Sequence, residues 1–466
     1  MRVLGVVRRV EGSTIVGFRE RLSALGMRGG LAALLAYERV RSGVRWNPLS
    51  TSYQQDPYPT YRSLRERDPI HRSMLLRGLV ASRYEDIDRI LGDHETFASD
   101  ERVTMDPVEA AQREAPATML DLDVPDHTRL RQLANRAFTP RAVEQLRPKI
   151  EQLTDELLDR AADAGGCEFI GEFAYPLPVS VIAELLGIAL EDRERFRRWS
   201  NALARRVDLG ITAEERRLAD TADEELSAYL EDAISQRRAE PGDDLLSALV
   251  AAEVDGDRLT HRELIATVIL LLVAGHETTV NLLGNGLLAL LQHREQLERL
   301  RREPELIENA VEELLRFDSP VQLDRRIATK QVEVGGVTIE PRQSIALLLG
   351  SANRDPAAFD RPDELDLGRE NVRHLSFARG IHYCPGAPLA RLEAQVVFPR
   401  LLERFSTIEL VEKRSSSRGK TTCASRLCRC GWHERSASRR PLALHSLSQR
   451  STYRLYASGP QRPARG

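Results

Sequence analysis

Between residues 46 and 411 the chain reads as a succession of helices interrupted by two short stretches of β character. Apolar residues recur at three- and four-residue spacing over 126–137, 141–164, 175–187, 213–239, 260–292 and 303–317, with a shorter helix signal at 84–91. That is the period of helices burying one face. A strand pair is expected around Ile70–Ser82, after a segment punctuated by Pro48, Pro57, Pro59 and Pro69. β-type alternation returns at Val332–Ile339, where Gly335 and Gly336 break the run as a hairpin turn would, and at Ser344–Leu349. Residues 97–120 are polar and irregular, a loop long enough to be functional. No internal repeat is visible. The pattern predicts a fold that is mainly α with a small β domain.

One predicted helix differs from the others. Thr260-His-Arg-Glu263 is a capping-box start, and the 260–292 segment it opens is apolar on all faces, so it must run through the core. Its longest apolar run, Leu264–Gly275, has twelve residues, short of the ~20 that span a bilayer. Met1–Val7 is too short for a signal peptide, and Arg8 and Arg9 follow it. A soluble cytoplasmic protein without membrane association is therefore expected.

Composition divides the chain. Of 466 residues 42% are hydrophobic, enough to bury a substantial core. The net charge of −3 conceals +11 over residues 414–466 and −14 over the rest, so no basic balance points to nucleic acid. Residues 1–45 read as an Arg-rich, partly helical extension and 46–413 as one large domain, expected to be monomeric. Residues 414–466 read as a basic, low-complexity tail rich in Ser, Arg and Cys, in which little packed structure is expected. Five cysteines form no disulfide framework. Cys423, Cys428, Cys430 and His433 in the tail lack regular zinc-ligand spacing.

Four local patterns carry chemistry. In Phe377-Ala-Arg-Gly380-Ile-His382-Tyr-Cys384-Pro-Gly386-Ala-Pro-Leu-Ala390 two glycines bracket a lone cysteine, and a helix follows at once. A helix N-terminus favours the thiolate, and a single thiolate suits one axial position on a metal better than a four-ligand cage. Taken alone, a lone cysteine is more often a small buried hydrophobe. The middle of the 260–292 helix reads Ala274-Gly275-His276-Glu277-Thr278-Thr279. A carboxylate there is costly unless paired or used, and the hydroxyls beside Gly275 compete for backbone carbonyls, loosening the ladder. A kinked core helix with a paired glutamate would read the same way. Glu313 and Arg316 share one helix face at i,i+3, usually a solvated surface pair. His127 and Arg131 share another at i,i+4, a cation pair suited to a dicarboxylate or simply part of an Arg-rich surface helix.

Taken together, the pattern FxxGxHxCxGxxLA resembles the cysteine-ligand loop of the cytochrome P-450 family, and all four patterns follow that family's order and spacing over about 46–411. The resemblance implies haem b held between the 260–292 helix and the cysteine-loop helix, with Cys384 as axial iron ligand. It makes Glu277 the proton-relay acid and Thr278 the alcohol beside iron-bound oxygen. It places Ala274, Phe377 and Gly386 against the cofactor, Phe377 shielding the sulfur, and assigns propionate contacts to His127, Arg131, Arg326 and His382. Glu313 and Arg316 become a structural pair, with a third partner expected near Arg373 or His374.

The implied reaction is O₂-dependent hydroxylation or epoxidation of a lipophilic small molecule such as a polyketide, terpene or steroid. Electrons would come ultimately from NAD(P)H through a ferredoxin or flavodoxin and its reductase. That partner would dock on the cysteine side, at Arg129, Arg136, Arg379 and Arg391. Three departures stand out: Pro385 follows the cysteine and offers its sulfur no N–H, Arg325 sits beside Arg326, and the tail occupies the place of the family's closing strands. A peroxide-driven variant, a non-catalytic haem carrier or sensor, and a defective product are the rival readings.

Overall fold

A computed structural model describes residues 28–106, 118–135, 139–188, 192–207, 211–251, 253–254, 257–412 and 451–457. The capping box forms as its sequence demands: the Thr260 hydroxyl accepts from the Glu263 N–H, and the Glu263 carboxylate accepts from the Thr260 N–H. It opens a continuous helix, His261–Gln292, with 20 of its 32 residues buried. This central helix is the one described helix long and apolar enough to cross a membrane by length and composition. Here it is the spine of the core, contacted by Pro176–Leu185, Arg193–Ala204, Ile307–Phe317 and Ala387–Arg404.

Five strands form the β part, in the order Ile70–Ser73, Gly78–Ala81, Ser344–Leu347, Asp324–Ala328 and Phe97–Ala98. All neighbours are antiparallel except the Gly78–Ala81 and Ser344–Leu347 pair. Gly78 is forced by that approach: a Cβ there would lie 2.7 Å from the Ser344 carbonyl oxygen. The expected hairpin forms between Val332–Val334 and Val337–Ile339, and its turn needs φ of +56° at Gly335 and +75° at Gly336.

Several boundaries moved for identifiable reasons. The 141–164 helix divides into Pro140–Gln145 and Arg147–Asp163, the second with Pro148 in its first turn, where the missing N–H costs nothing. A 3₁₀ turn at Pro304–Leu306 precedes Ile307–Phe317. Helices Arg193–Ala204, Leu245–Ala251 and Arg294–Arg302 were not evident from periodicity. In the first, arginines crowd an apolar face of only Phe196, Trp199 and Leu203. The N-terminal extension contributes the helix Arg28–Ser42, whose buried Glu38 accepts from the Met74 N–H at 2.6 Å. Residues 1–27 lie outside the described residues.

The ExxR pair is a core element. Glu313 and Arg316 are both fully buried, joined through two contacts of 2.7 and 2.8 Å. Arg316 also donates to the carbonyls of Asn353, Pro362 and Glu364. The third partner is Arg369, with Nε 3.2 and 3.1 Å from the Glu313 oxygens, and not Arg373 or His374. The coil after Asn353 folds back on the helix end, so it reaches Glu313 four residues earlier than expected. His374 turns instead to Glu312.

The tail also departs from expectation. Ser451–Ala457 is a strand between Phe405–Glu412 and Cys167–Glu168, antiparallel to both. Its sequence STYRLYA is rich in strand formers, a signal masked by the composition of the whole tail. Cys423, Cys428, Cys430 and His433 lie outside the described residues. Truncation after Lys413 removes this central strand and should lower the melting temperature, by roughly 1 °C per kcal/mol of lost pairing for a chain of this size. An unchanged melting curve would show that the pairing adds no stability.

Candidate active site

The cysteine loop is built around a glycine that nothing else can replace. Gly380 has φ of +72°, and a Cβ there would lie 2.5 Å from the Leu91 carbonyl oxygen. Past it the chain turns so that the Cys384 N–H donates to the Phe377 carbonyl at 3.0 Å, and the helix Ala387–Arg404 begins. The N–H groups of Gly386 and Ala387 donate to the sulfur. Pro385, lacking one, does not. Burial nevertheless dominates and pushes the Cys384 thiol above its ordinary value, against these N–H groups and the nearby Arg131 and Arg391. The helix start alone does not make a thiolate; a metal cation facing the sulfur would reverse the balance.

Glu312 braces this loop from outside. Arg391 donates to it at 2.6 and 2.8 Å, and His374 bonds it at 3.2 Å. Although burial opposes its charge, these partners hold the Glu312 carboxyl down at about 2. Arg391 also donates to the Tyr383 hydroxyl at 3.1 Å and lies 4.6 Å over the Phe377 ring. Phe377 is thereby fixed beside the cysteine loop.

Three of the four expected carboxylate-binding residues meet here. The rings of His127 and His382 lie 4.3 Å apart, and Arg131 donates to the Tyr383 carbonyl, next to Cys384. His127 is buried with neither ring nitrogen hydrogen-bonded. Burial, with His382 and Arg131 adding to it, drives its pKa down to about 4. Ser99 bonds the His382 Nε2 at 3.1 Å and directly follows Ala98, paired with Ile327. This brings Arg326, the next residue on that strand, to the same end of the sheet. Arg326 is itself buried and donates to Asp324 at 2.9 Å, while Arg325 pairs with Glu101. Asp123, which burial would raise, is held low by His382 and by the N–H groups of Ser99 and Asp100.

The central helix supplies a second surface. Ile269, Leu270, Val273, Ala274, Glu277 and Thr278 stay accessible while His276 and Thr279 are buried. Their i, i+1, i+4, i+5, i+8, i+9 spacing puts them on one face. The Thr278 and Thr279 hydroxyls donate to the carbonyls of Ala274 and Gly275 at 2.9 and 3.2 Å, as the competing hydroxyls predicted, but the helix stays continuous. Gly275 instead admits a neighbour, since a Cβ there would meet the Ile182 side chain at 2.5 Å.

The arginines expected to receive an acidic partner are mostly engaged. Arg129 pairs with Glu263, Arg379 with Asp88 and Arg391 with Glu312, because each lies within reach of a carboxylate that the linear sequence places far away. Arg136 lies outside the described residues.

Comparison with known proteins decides what such a site belongs to. The Cytochrome P450 family model matches residues 196–424. Cytochrome P450 107B1 of Saccharopolyspora erythraea is 45% identical over 372 residues, covering 77% of this chain and 90% of the relative. The chain belongs to the cytochrome P450 family. The P450 monooxygenase PikC of Streptomyces venezuelae is 41% identical over 370 residues, 78% of this chain and 87% of the relative. The structure of Bacillus subtilis PksS, a cytochrome P450 of the bacillaene polyketide synthase, superimposes with a TM-score of 0.73 at 42% identity. It covers 80% of this chain and 95% of that one. The protein is thus a bacterial P450 monooxygenase, and its family's cofactor is haem.

The residues present fit that cofactor. An orphaned buried imidazole with His382 and the Arg131 guanidinium near it suits a group bearing carboxylates, and the Cys384 thiol at the start of the Ala387–Arg404 helix suits an iron ligand. Among the described residues no cluster of three or more His, Cys, Asp or Glu side chains offers a competing metal site.

Sequence reasoning overlooked one residue of this P450. Glu393, nine positions after the cysteine and buried, hydrogen-bonds Thr279 of the central helix. Burial raises its pKa from the ordinary 4.5 to about 8 against that single bond, and its Oε1 has no partner. A glutamate inside the apolar face of the 387–404 helix was the available signal. A carboxyl whose pKa is raised on folding stabilises fully below its unfolded value and progressively less as pH climbs through the folded one. The Glu393→Gln variant should therefore gain melting temperature over the wild type between about pH 5 and about pH 9. Curves that stay parallel across that range would refute the buried-proton assignment.

Proposed function

We propose that this P450 inserts one oxygen atom of O₂ into a medium-sized or large lipophilic molecule, by hydroxylation or epoxidation, with polyketides the first class to test. Supporting that reading is the accessible stripe of the otherwise buried central helix, where the apolar Ile269, Leu270, Val273 and Ala274 run into Glu277 and Thr278. An apolar floor ending in an acid and an alcohol is what a greasy substrate and a proton-consuming reaction require together. PksS, a P450 of a polyketide synthase, supports the substrate class.

Cys384 would hold the haem iron through its sulfur. When bound, thiolate-ligated haem iron supplies the O₂ activation and the oxidation itself. His127, Arg131, Arg326 and His382 would neutralise its carboxylates, and Ala274, Phe377 and Gly386 would line its site. Thr278 presents its hydroxyl where oxygen is handled, and Glu277 replenishes the proton from the accessible face. Electrons are drawn from NAD(P)H through a ferredoxin or flavodoxin. Docking there must rely on shape and on exposed groups such as Tyr383, since Arg129, Arg379 and Arg391 are already paired. The reading of a non-catalytic haem carrier finds no support among the relatives.

A spin-state titration against a lipophilic library that includes macrolide polyketides identifies the substrate class. With the best binder, Thr278→Ala should make peroxide the main fate of the consumed oxygen, since one proton-handling group is worth about 10²–10⁴-fold in rate, while the binding constant changes little. Unchanged coupling would remove Thr278 from the proposed role.

A further inference from the structure

His276 directly precedes Glu277 and Thr278 in sequence, yet it is buried while they stay accessible. It is 1% exposed, and Ser200, on the helix Arg193–Ala204, is 0% exposed. The His276 Nδ1 lies 2.8 Å from the Leu272 carbonyl, one turn back. An N–H must donate there, which fixes the tautomer and leaves Nε2 as acceptor. The Ser200 hydroxyl lies 3.3 Å from that Nε2 and 3.0 Å from Nδ1. Burial drives the imidazole pKa down to about 4, so the ring stays neutral and this single tautomer persists.

The surroundings make the link costly to break. Val179, Ile182, Ala183, Phe196 and Leu272 line a small cavity beside the ring, and Tyr175 meets it edge-on at 5.4 Å. Nothing in that lining replaces a lost hydrogen bond, so parting His276 from Ser200 strands two buried polar groups. A histidine serving only as filler would need no partner on a second helix. The residues next to His276 on the same turn are Glu277 and Thr278.

We infer that His276 is a positioning residue that fastens the helix Arg193–Ala204 to the turn of the central helix carrying Glu277 and Thr278. Displacement of that outer helix is thereby passed to the acid–alcohol pair, a statement that rests on the role proposed above for those two residues. Ser200 is the remote end of the link and touches neither of them through any bond described.

The test uses the haem-loaded full chain and the variants Ser200→Ala, His276→Phe and His276→Gln. Hydrogen exchange should quicken roughly two- to tenfold, the worth of one such bond, in Arg193–Ala204 and also in Leu272–Thr279, in both Ser200→Ala and His276→Phe. The double variant should be no faster than either single one, and His276→Gln, which keeps a donor and an acceptor, should restore much of the protection. Should His276→Phe fold poorly, Ser200→Ala carries the same comparison. Faster exchange confined to Arg193–Ala204, or unchanged in both segments, overturns the link.

Turnover with testosterone as the probe, using a surrogate ferredoxin and its reductase, supplies the functional arm. Ser200→Ala should raise the peroxide share, as Thr278→Ala does. If Thr278→Ala itself leaves that share unchanged, the acid–alcohol reading has failed, while the exchange data still judge the link. If Thr278→Ala responds and Ser200→Ala does not, the positioning role is refuted.

Discussion

The buried Glu313–Arg316–Arg369 cluster is the constraint on which the rest of the site depends. Two fully buried, opposite charges gain little net stability from each other once desolvation is counted, so the cluster is explained by what else it holds. Arg316 gathers three carbonyls from the coil between Asn353 and Glu364, and Glu313 accepts from the Asp366 N–H. Asn353, held there, bonds Ser319, the Leu375 N–H and Ser376, the residue directly before Phe377. From Glu313 to the cysteine loop the path is an unbroken series of hydrogen bonds. Glu312, the adjacent residue, braces the same loop through His374 and Arg391. Neighbouring glutamates on one helix thus serve as an inner anchor and an outer clamp, and removing either partner of the inner pair would leave an uncompensated buried charge worth about 3–5 kcal/mol.

The central helix divides its work by face. Its accessible stripe carries apolar residues, an acid and an alcohol, while its buried face carries His276 and Thr279, each tied to a different neighbouring helix. Ser200 lies at one end of this arrangement and Glu393 at the other. Both His276 and Glu393 are kept neutral by burial, so the helix passes between two uncharged polar contacts in an apolar core. Such contacts fix orientation more than they add stability, which is what a residue pair handling protons needs from its support.

Much of this was legible in the sequence. The capping box, the hairpin at Gly335–Gly336 and the glycine-bracketed cysteine are local patterns whose physics is complete within a few residues, and each formed as expected. The meeting of His127, Arg131 and His382 followed from a family resemblance, not from spacing. What escaped reading depended on partners distant in the chain. Arg369 instead of Arg373 or His374 is decided by how a coil folds back. The pairing of Arg129, Arg379 and Arg391 depends on carboxylates 134, 291 and 79 positions away. The Ser451–Ala457 strand was hidden by averaging over a basic tail, and Glu393 by the apolar helix around it.

The proposed reaction rests on one thiol, Cys384, as the protein's ligand to haem iron. The most direct measurement is the absorption spectrum of the reduced, carbon-monoxide-bound protein, recorded for the wild type and for Cys384→Ala at equal haem loading. Thiolate ligation predicts the red-shifted Soret band in the wild type and its loss in the variant. A wild type without that band, or a variant that retains it, would contradict the assignment and the reaction built on it.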